Sequence, residues 1–342
     1  MQGRTWGQAR PLKHSVPFRR LGGLWLFTLL AFGAALCLGA QDYAPALLWQ
    51  AMREYDPTDA GQAILLEMRL PRALAAVLVG AALAVSGLVM QALVRNPLAD
   101  PGLTGVNAGA ALAIVAGLWA FGPLPQPATA LLALCGAGAA AVLARLLAGG
   151  GDTSLRLPLA GAALASLCMA IVSLVVLLNP EARNVYRFWM VGSLALADVA
   201  GLARLAPIAL AGILLALLVA RQIETLMLGG EMGAALGLRP GRVLSLGFLA
   251  ITLTAGATVA LAGPVGFIGL IAPHLARRIA PQAGLAALVL LACPMGVSLA
   301  LLADTAGRWL VRPAELPLGI VLAMIGAPAF MLLVRRMLRG GE

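Results

Sequence analysis

The chain has 342 residues, 61% hydrophobic and 11% charged, with a formal net charge of +10 and a mean hydropathy of +0.94. So little charge excludes a soluble domain of any size. The positive balance does not point to nucleic acid, because the basic residues sit singly or in pairs at the ends of apolar runs, where they set membrane topology.

Apolar runs of about 20 residues recur along the chain, each long enough to cross a hydrocarbon core about 30 Å thick. The expected fold class is an all-α polytopic membrane protein. Residues 1–20 read as a cytoplasmic basic tail and 21–337 as a single transmembrane domain. The basic start and the run at 21–41 have the outline of a signal peptide. That run is long and many spans follow it, so an uncleaved first helix behind a disordered tail is expected.

Charges and Pro/Gly breaks then mark nine further helices near 70–94, 104–121, 128–148, 157–178, 202–220, 243–262, 267–279, 283–303 and 316–337. Pro123, Pro125 and Pro127 split the uncharged stretch 101–144. A short apolar piece at 185–197 is too short to span and is expected at the interface. Ten helices put both termini on one side. With that side cytoplasmic, 16 of the 24 basic residues are inside, from Arg4, Arg10 and Lys13 to Arg335, Arg336 and Arg339. The other 8 share the outside with 9 of the 14 acidic residues, so the expected orientation is N-in and C-in. Segments 42–69, 179–201 and 304–315 then face outward, and 95–102 and 221–242 face the cytoplasm.

"GAALAVSG" (80–87) resembles "GATVALAG" (256–263), a hint of an internal repeat. Small residues so spaced let helices approach closely. Pro97, Pro101, Gly263 and Gly266 are expected to fix tight turns in "RNPLADPG" (95–102) and "GPVGF" (263–267).

Several kinds of chemistry are missing. Lys13 is the only lysine, so no phosphate-binding G-x-x-x-x-G-K-[ST] loop exists. Cys37, Cys135, Cys168 and Cys293 are far apart within apolar runs and read as small buried hydrophobes, not zinc ligands or disulfides. His14 lies in the tail and His274 at a helix end, where a lone histidine serves a structural hydrogen bond. The spans hold almost no carboxylates, which counts against a proton- or sodium-coupled secondary carrier. No catalytic set can be assembled, which counts against an intramembrane enzyme. No metal and no cofactor are expected. Energy for uphill transport must come from elsewhere.

Five stretches, taken together, resemble the permease subunits of binding-protein-dependent ABC importers for iron-siderophores, haem and cobalamin, the FecCD family. They are "RLPRALAAVLVGAALAVSGLVMQALVRNPLADPGLTGVNAGA" (69–110), "FWMVGSL" (188–194), "LGLRPGR" (236–242), "GPVGFIGLIAPHLAR" (263–277) and "LLADTAGRWLVRPAELPLGIVLAMIGAPAF" (301–330). The resemblance runs from about residue 21 to 337. It implies a type II ABC importer permease fold in the bacterial inner membrane, working as a homodimer or pseudo-dimer. It also implies two cytoplasmic ABC ATPase subunits, which carry out the hydrolysis, and a periplasmic binding protein. The expected cargo is a ferric siderophore, with haem and cobalamin as alternatives.

The resemblance also gives the segment at about 222–242 a role. Short cytoplasmic helices between the sixth and seventh spans of such importers fit a groove on the ATPase. Met227, Leu228, Glu231, Met232, Leu236, Gly237 and Arg239 are the coupling residues it implies. Arg69, Arg72 and Arg308 match arginines that receive glutamates of the binding protein, although Asp304 at i−4 competes for Arg308. Ser86, Met90, Gln91, Asn107, Ser166 and Thr254 are polar or flexible enough to line a path, although residues at helical spacing are more often packed between helices.

Overall fold

The computed structural model describes residues 18–149, 153–227, 229, 233 and 235–339. The expected basic tail up to residue 17 lies outside the described residues, as do Leu228, Glu231 and Met232. Among the described residues all regular structure is helical. Helix α1 is Phe18–Cys37, α2 is Pro45–Arg53, and α3 is Ala60–Ala63, which runs through a π-helical turn at Ile64–Arg69 into α4, Leu70–Val94. A 3-10 turn at Pro101–Thr104 precedes α5, Val106–Phe121. Then come α6, Gln126–Ala148; α7, Thr153–Leu178; α8, Pro180–Trp189; and α9, Val199–Met227. The last four are α10, Pro240–Ala262; α11, Ile268–Ile279; α12, Leu285–Leu310; and α13, Leu318–Arg339.

Seven of these segments are long and apolar enough to cross a membrane, and α5 and α13 are shorter apolar helices. The 12-residue α11 rises only about 18 Å and cannot cross alone. The chain is a multi-pass membrane protein.

Local sequence explains many of the boundaries. Pro240 stands in the first turn of α10, where a missing N–H costs nothing and φ is already helical; Pro71 follows the π-turn within the continuous helix Ala60–Val94. Asn179 accepts from the Ala182 N–H at the start of α8. The end of α4 is closed by Arg95 in the left-handed conformation at φ 53°. Its N–H reaches Ala92 O and that of Asn96 reaches Gln91 O, the paired bonds of a Schellman motif.

Four expected boundaries move. The segment 42–69 is not a loop: it holds α2, α3 and the π-turn, which are too short to show a clear period in sequence. The interfacial piece forms over Pro180–Trp189 and is irregular beyond, because Gly192 takes φ 65°. Helix α9 continues to Met227, since Arg221, Gln222 and Glu224 are polar but good helix formers and Ile223 is buried in the core. Helix α12 continues to Leu310, so Arg308 lies within its last turn rather than after it.

Helix α4 is the axis of the structure, packed by α9, α10, α11 and α12. All of it is buried except Leu70, Leu74, Val77 and Ala81. A second group, α5, α6 and α7, packs together and meets α10 through α6. Lipid tails are as apolar as leucine, so helices in a bilayer associate through close packing and hydrogen bonds rather than hydrophobic exclusion. The close packing is main chain on main chain. A Cβ at Gly80 would collide with Gly296 O, and one at Gly87 with Gly269 O. Hydrogen bonding adds a clip: Thr28 Oγ1 on α1 contacts Pro294 O at 3.1 Å and Ser298 Oγ at 2.9 Å on α12.

The two stretches that hint at a repeat do different work. Gly80 and Gly87 touch other backbones, whereas Gly256 faces the Leu134 and Ala137 side chains and Gly263 turns the chain at φ 72°.

Candidate functional site

Charged side chains gather at both ends of α4. At its first end, Arg69, Arg72 and Arg308 converge, although they are only 7%, 9% and 4% exposed. Arg72 bridges two carboxylates: Nε lies 3.0 Å from both oxygens of Asp304, and Nη1 donates to Glu315 Oε2 at 2.6 Å. Asp304 also faces Arg308, whose Nε is 3.2 Å from Oδ2. That contact is an ion pair without hydrogen-bond alignment, and Arg308 Nη1 has no hydrogen-bond partner among the described residues. Arg69 donates to the carbonyls of Leu36, Cys37 and Gln41 and stacks 4.8 Å over the Tyr43 ring. Gly39 makes room for the Arg69 and Arg308 guanidinium groups, which would lie 3.0 Å from a Cβ there.

Arg72 and Arg308 thus share Asp304, Arg72 also holds Glu315, and Arg308 Nη2 donates to Ala35 O at 2.8 Å. All three arginines and Glu315 line an open pocket of about 370 Å³. The pocket can take a further carboxylate. The three arginines matched to residues that receive glutamates are therefore buried and partly engaged within this chain. Near the rim, Arg312 forks onto Asp42 at 2.6 and 3.0 Å, and this hydrogen bonding holds the Asp42 carboxyl below its ordinary range.

At the opposite end the charges go to the main chain. Arg95 Nη2 donates to Leu226 O at 2.8 Å, and Arg20 Nη1 donates to Ile279 O at 2.7 Å. Glu224 Oε1 accepts from the Leu285 N–H that opens α12. Beyond α9, among the described residues of the stretch expected to couple, Gly233 and Ala235 are helical, Gly229 and Gly237 have positive φ, and the Leu238 N–H reaches Gly233 O. Met227 and Leu236 project at 45% and 65% exposure, and Arg239 is exposed.

The path candidates are not brought together. Ser86, Met90, Gln91 and Thr254 are buried in the packing of this one chain. Gln91 donates to Gly269 O at 3.0 Å and accepts from Arg277 at 2.5 Å. Thr254 donates back to Ala250 O at 2.7 Å. Ser166 is exposed on α7 and bonds only its own helix, at Ala162 O. Asn107 is half-buried at the start of α5. The turn residues divide as well. Gly263 sits against Trp189 O at positive φ, whereas Gly266 has open space at its Cβ position and no positive φ. Pro101 is buried and Pro97 exposed. Sequence reasoning missed Glu224 and Glu315, because each meets a partner far away in the chain.

The described residues form a bundle of apolar helices with charged side chains at both ends of its central helix, the architecture of a multi-pass membrane protein. Residues 26–336 match the FecCD transport family, and the chain belongs to that family as an ABC importer permease. It is 42% identical over 325 residues to the ferric enterobactin transport system permease protein FepD of Escherichia coli (strain K12), across 93% of this chain and 96% of that protein. The hemin transport system permease protein HmuU of Yersinia pestis is 39% identical, over 92% of this chain and 94% of that one. A solved metal-chelate type ABC transporter in an inward-facing conformation superposes with a TM-score of 0.82 at 30% identity, covering 93% of this chain and 99% of that one.

Proposed function

We propose that the chain is the transmembrane permease of an ATP-driven importer for a ferric siderophore, in the bacterial inner membrane. It spans with ten helices, both termini inside, so the Arg72 end faces the periplasm and the Arg95 end the cytoplasm. Two copies form the pathway, two ABC ATPases bind below, and a periplasmic binding protein delivers the cargo above. Hydrolysis belongs to the ATPase partners. The observation that carries the cargo reading is 42% identity to FepD over nearly its whole length.

The coupling role of 222–242 is supported by two exposed apolar side chains, Met227 at the end of α9 and Leu236 in the turn that leads to α10. The docking role of Arg69, Arg72 and Arg308 is supported by the surplus positive charge around their pocket and by the unpartnered Arg308 Nη1. A carboxylate of the binding protein entering that pocket meets a group already desolvated. Exposed pairs contribute about 0.2–1 kcal/mol each, and charge pairs that are desolvated and close contribute more.

A second reading, haem or cobalamin as cargo, is favoured by the near-equal likeness to HmuU and to the vitamin B12 import system permease protein BtuC of Klebsiella pneumoniae, 38% identical. Titration of the cognate binding protein with ferric siderophores, haem and cobalamin separates them. Saturable binding of a ferric siderophore alone is expected, and binding of haem or cobalamin alone replaces the first reading with the second.

A further inference from the structure

Helices α4 and α12 are joined at three levels. At the outer end the Arg72–Asp304 pair links them. Midway, Gly80 and Gly296 touch through their backbones. At the inner end both are fastened to the last turn of α9, α4 through Arg95 on the Leu226 carbonyl and α12 through Glu224 on the Leu285 N–H. Residues 224 and 226 stand in the last turn of α9, which ends at the exposed Met227 and leads into the stretch that holds Leu236.

The chemistry of both fastenings fits their places. Arg95 brings a cation to the carbonyl end of α9, and Glu224 brings an anion to the amide end of α12; each is the sign the helix dipole favours. Hydrogen bonds with one charged partner are about twice as strong as neutral ones. The other inner ties do not touch α9. Arg20 joins α1 to Ile279 at the end of α11, and Arg277 joins α11 to Gln91 on α4.

We propose that Arg95 and Glu224 form a double clasp, and that it is the joint through which the nucleotide state of the ATPase reaches the docking end. Displacing the coupling segment moves the last turn of α9. The clasp passes that movement to the α4–α12 body, whose far end carries Arg72, Asp304 and Arg308. Coupling between two binding events is reciprocal, so the same joint lets a docked binding protein bias nucleotide binding. The inference rests on the reading of 222–242 as the coupling segment.

The test measures binding-protein affinity for the assembled permease–ATPase complex in nanodiscs, with and without a non-hydrolysable ATP analogue. The ratio of the two Kd values reports the coupling. With Glu224→Ala the ATPase should still co-purify, while the ratio falls toward one by about tenfold, the loss of one charge-assisted hydrogen bond. Arg20→Ala, which cuts a tie away from α9, should leave the ratio as in the parent protein. If Glu224→Ala does not assemble, Glu224→Gln decides, because it keeps an acceptor and loses only charge; a drop of about threefold is expected. An unchanged ratio in an assembled Glu224 variant overturns the clasp. A coupling reading that is itself wrong shows differently: Leu236→Glu then keeps a bound, active ATPase.

Discussion

The two ends of α4 differ in whether carboxylates pair with the arginines: Asp304 and Glu315 do so at the Arg72 end, whereas Arg95 and Arg20 donate to carbonyls at the other. At the Arg72 end, side chains face both side chains and main chain: Arg72 and Arg308 face Asp304, Arg72 also holds Glu315, Arg69 and Arg308 Nη2 reach carbonyls, and Arg308 Nη1 has no hydrogen-bond partner among the described residues. At the Arg95 end, side chains face the main chain: Arg95, Arg20 and Glu224 each satisfy a carbonyl or amide near a helix terminus. The first arrangement can gain from another carboxylate, because desolvation of its cations has already been met. The second has its backbone groups satisfied and works as a fastening. The two ends therefore differ in whether a charged group is left without a hydrogen-bond partner among the described residues, as Arg308 Nη1 is at the Arg72 end.

The largest expected effect comes from breaking what lies between the ends. Gly87→Val places side-chain atoms inside the Gly269 backbone, which cannot retreat without moving α11. No folded protein should be recovered by size exclusion in detergent. Gly266→Ala, at an open position with ordinary backbone, should be recovered at the parent level.

At the Arg95 end, Leu236→Glu puts a carboxylate where the proposed ATPase groove requires an apolar contact, a desolvation cost of several kcal/mol. The permease should insert and dimerise while ATPase co-purification and uptake are lost. Normal co-purification with normal uptake removes the coupling role.

At the Arg72 end, charge reversal of Arg72 is a poor test, since it strands Asp304 and Glu315 and costs about 3–5 kcal/mol in folding alone. Arg308→Gln is cleaner, because Asp304 keeps Arg72. Binding-protein association should weaken by about tenfold or more, as when one partner of a buried charge pair is lost, with the ATPase still bound. Unchanged association would assign the arginines to the fold only.

The smallest effect concerns Asp100, in the turn between α4 and α5. Burial pushes its carboxyl above the ordinary 3.8, against the opposing hydrogen bond from the Gly102 N–H. A raised acid pKa means that the folded state holds the proton more tightly. Its stabilising contribution is therefore complete below 3.8 and is lost as pH rises through the raised folded value. Asp100→Asn keeps an acceptor for Gly102 and should flatten this part of the melting-temperature profile in detergent, with no loss of stability at neutral pH.

Much of this was legible in the sequence where one signal sufficed. The end of the helix at Val94 was legible, because Arg95–Asn96–Pro97 closes it, whereas its start was not: Pro71 does not open it, since the helix is continuous from Ala60 through the π-turn. The i,i+4 competition between Asp304 and Arg308 was visible from spacing alone, and it occurs. What failed needed long-range knowledge. The burial of Arg69 follows from carbonyls of Leu36, Cys37 and Gln41, which no local pattern brings near. Glu315 and Glu224 are ordinary carboxylates until the fold sets them against Arg72 and Leu285. Ser166, expected on the path, points away from this chain's core, because polarity does not reveal which face of a helix is covered.

The central claim is that this permease moves a ferric chelate with energy from a separate ATPase. Proteoliposomes containing the permease, its ATPase and its binding protein, loaded with radioiron siderophore outside, test it directly. Uptake should require ATP at the ATPase side and the binding protein at the Arg72 side, and should stop when hydrolysis is blocked. Uptake driven by a proton or sodium gradient, with no ATPase present, would contradict the account.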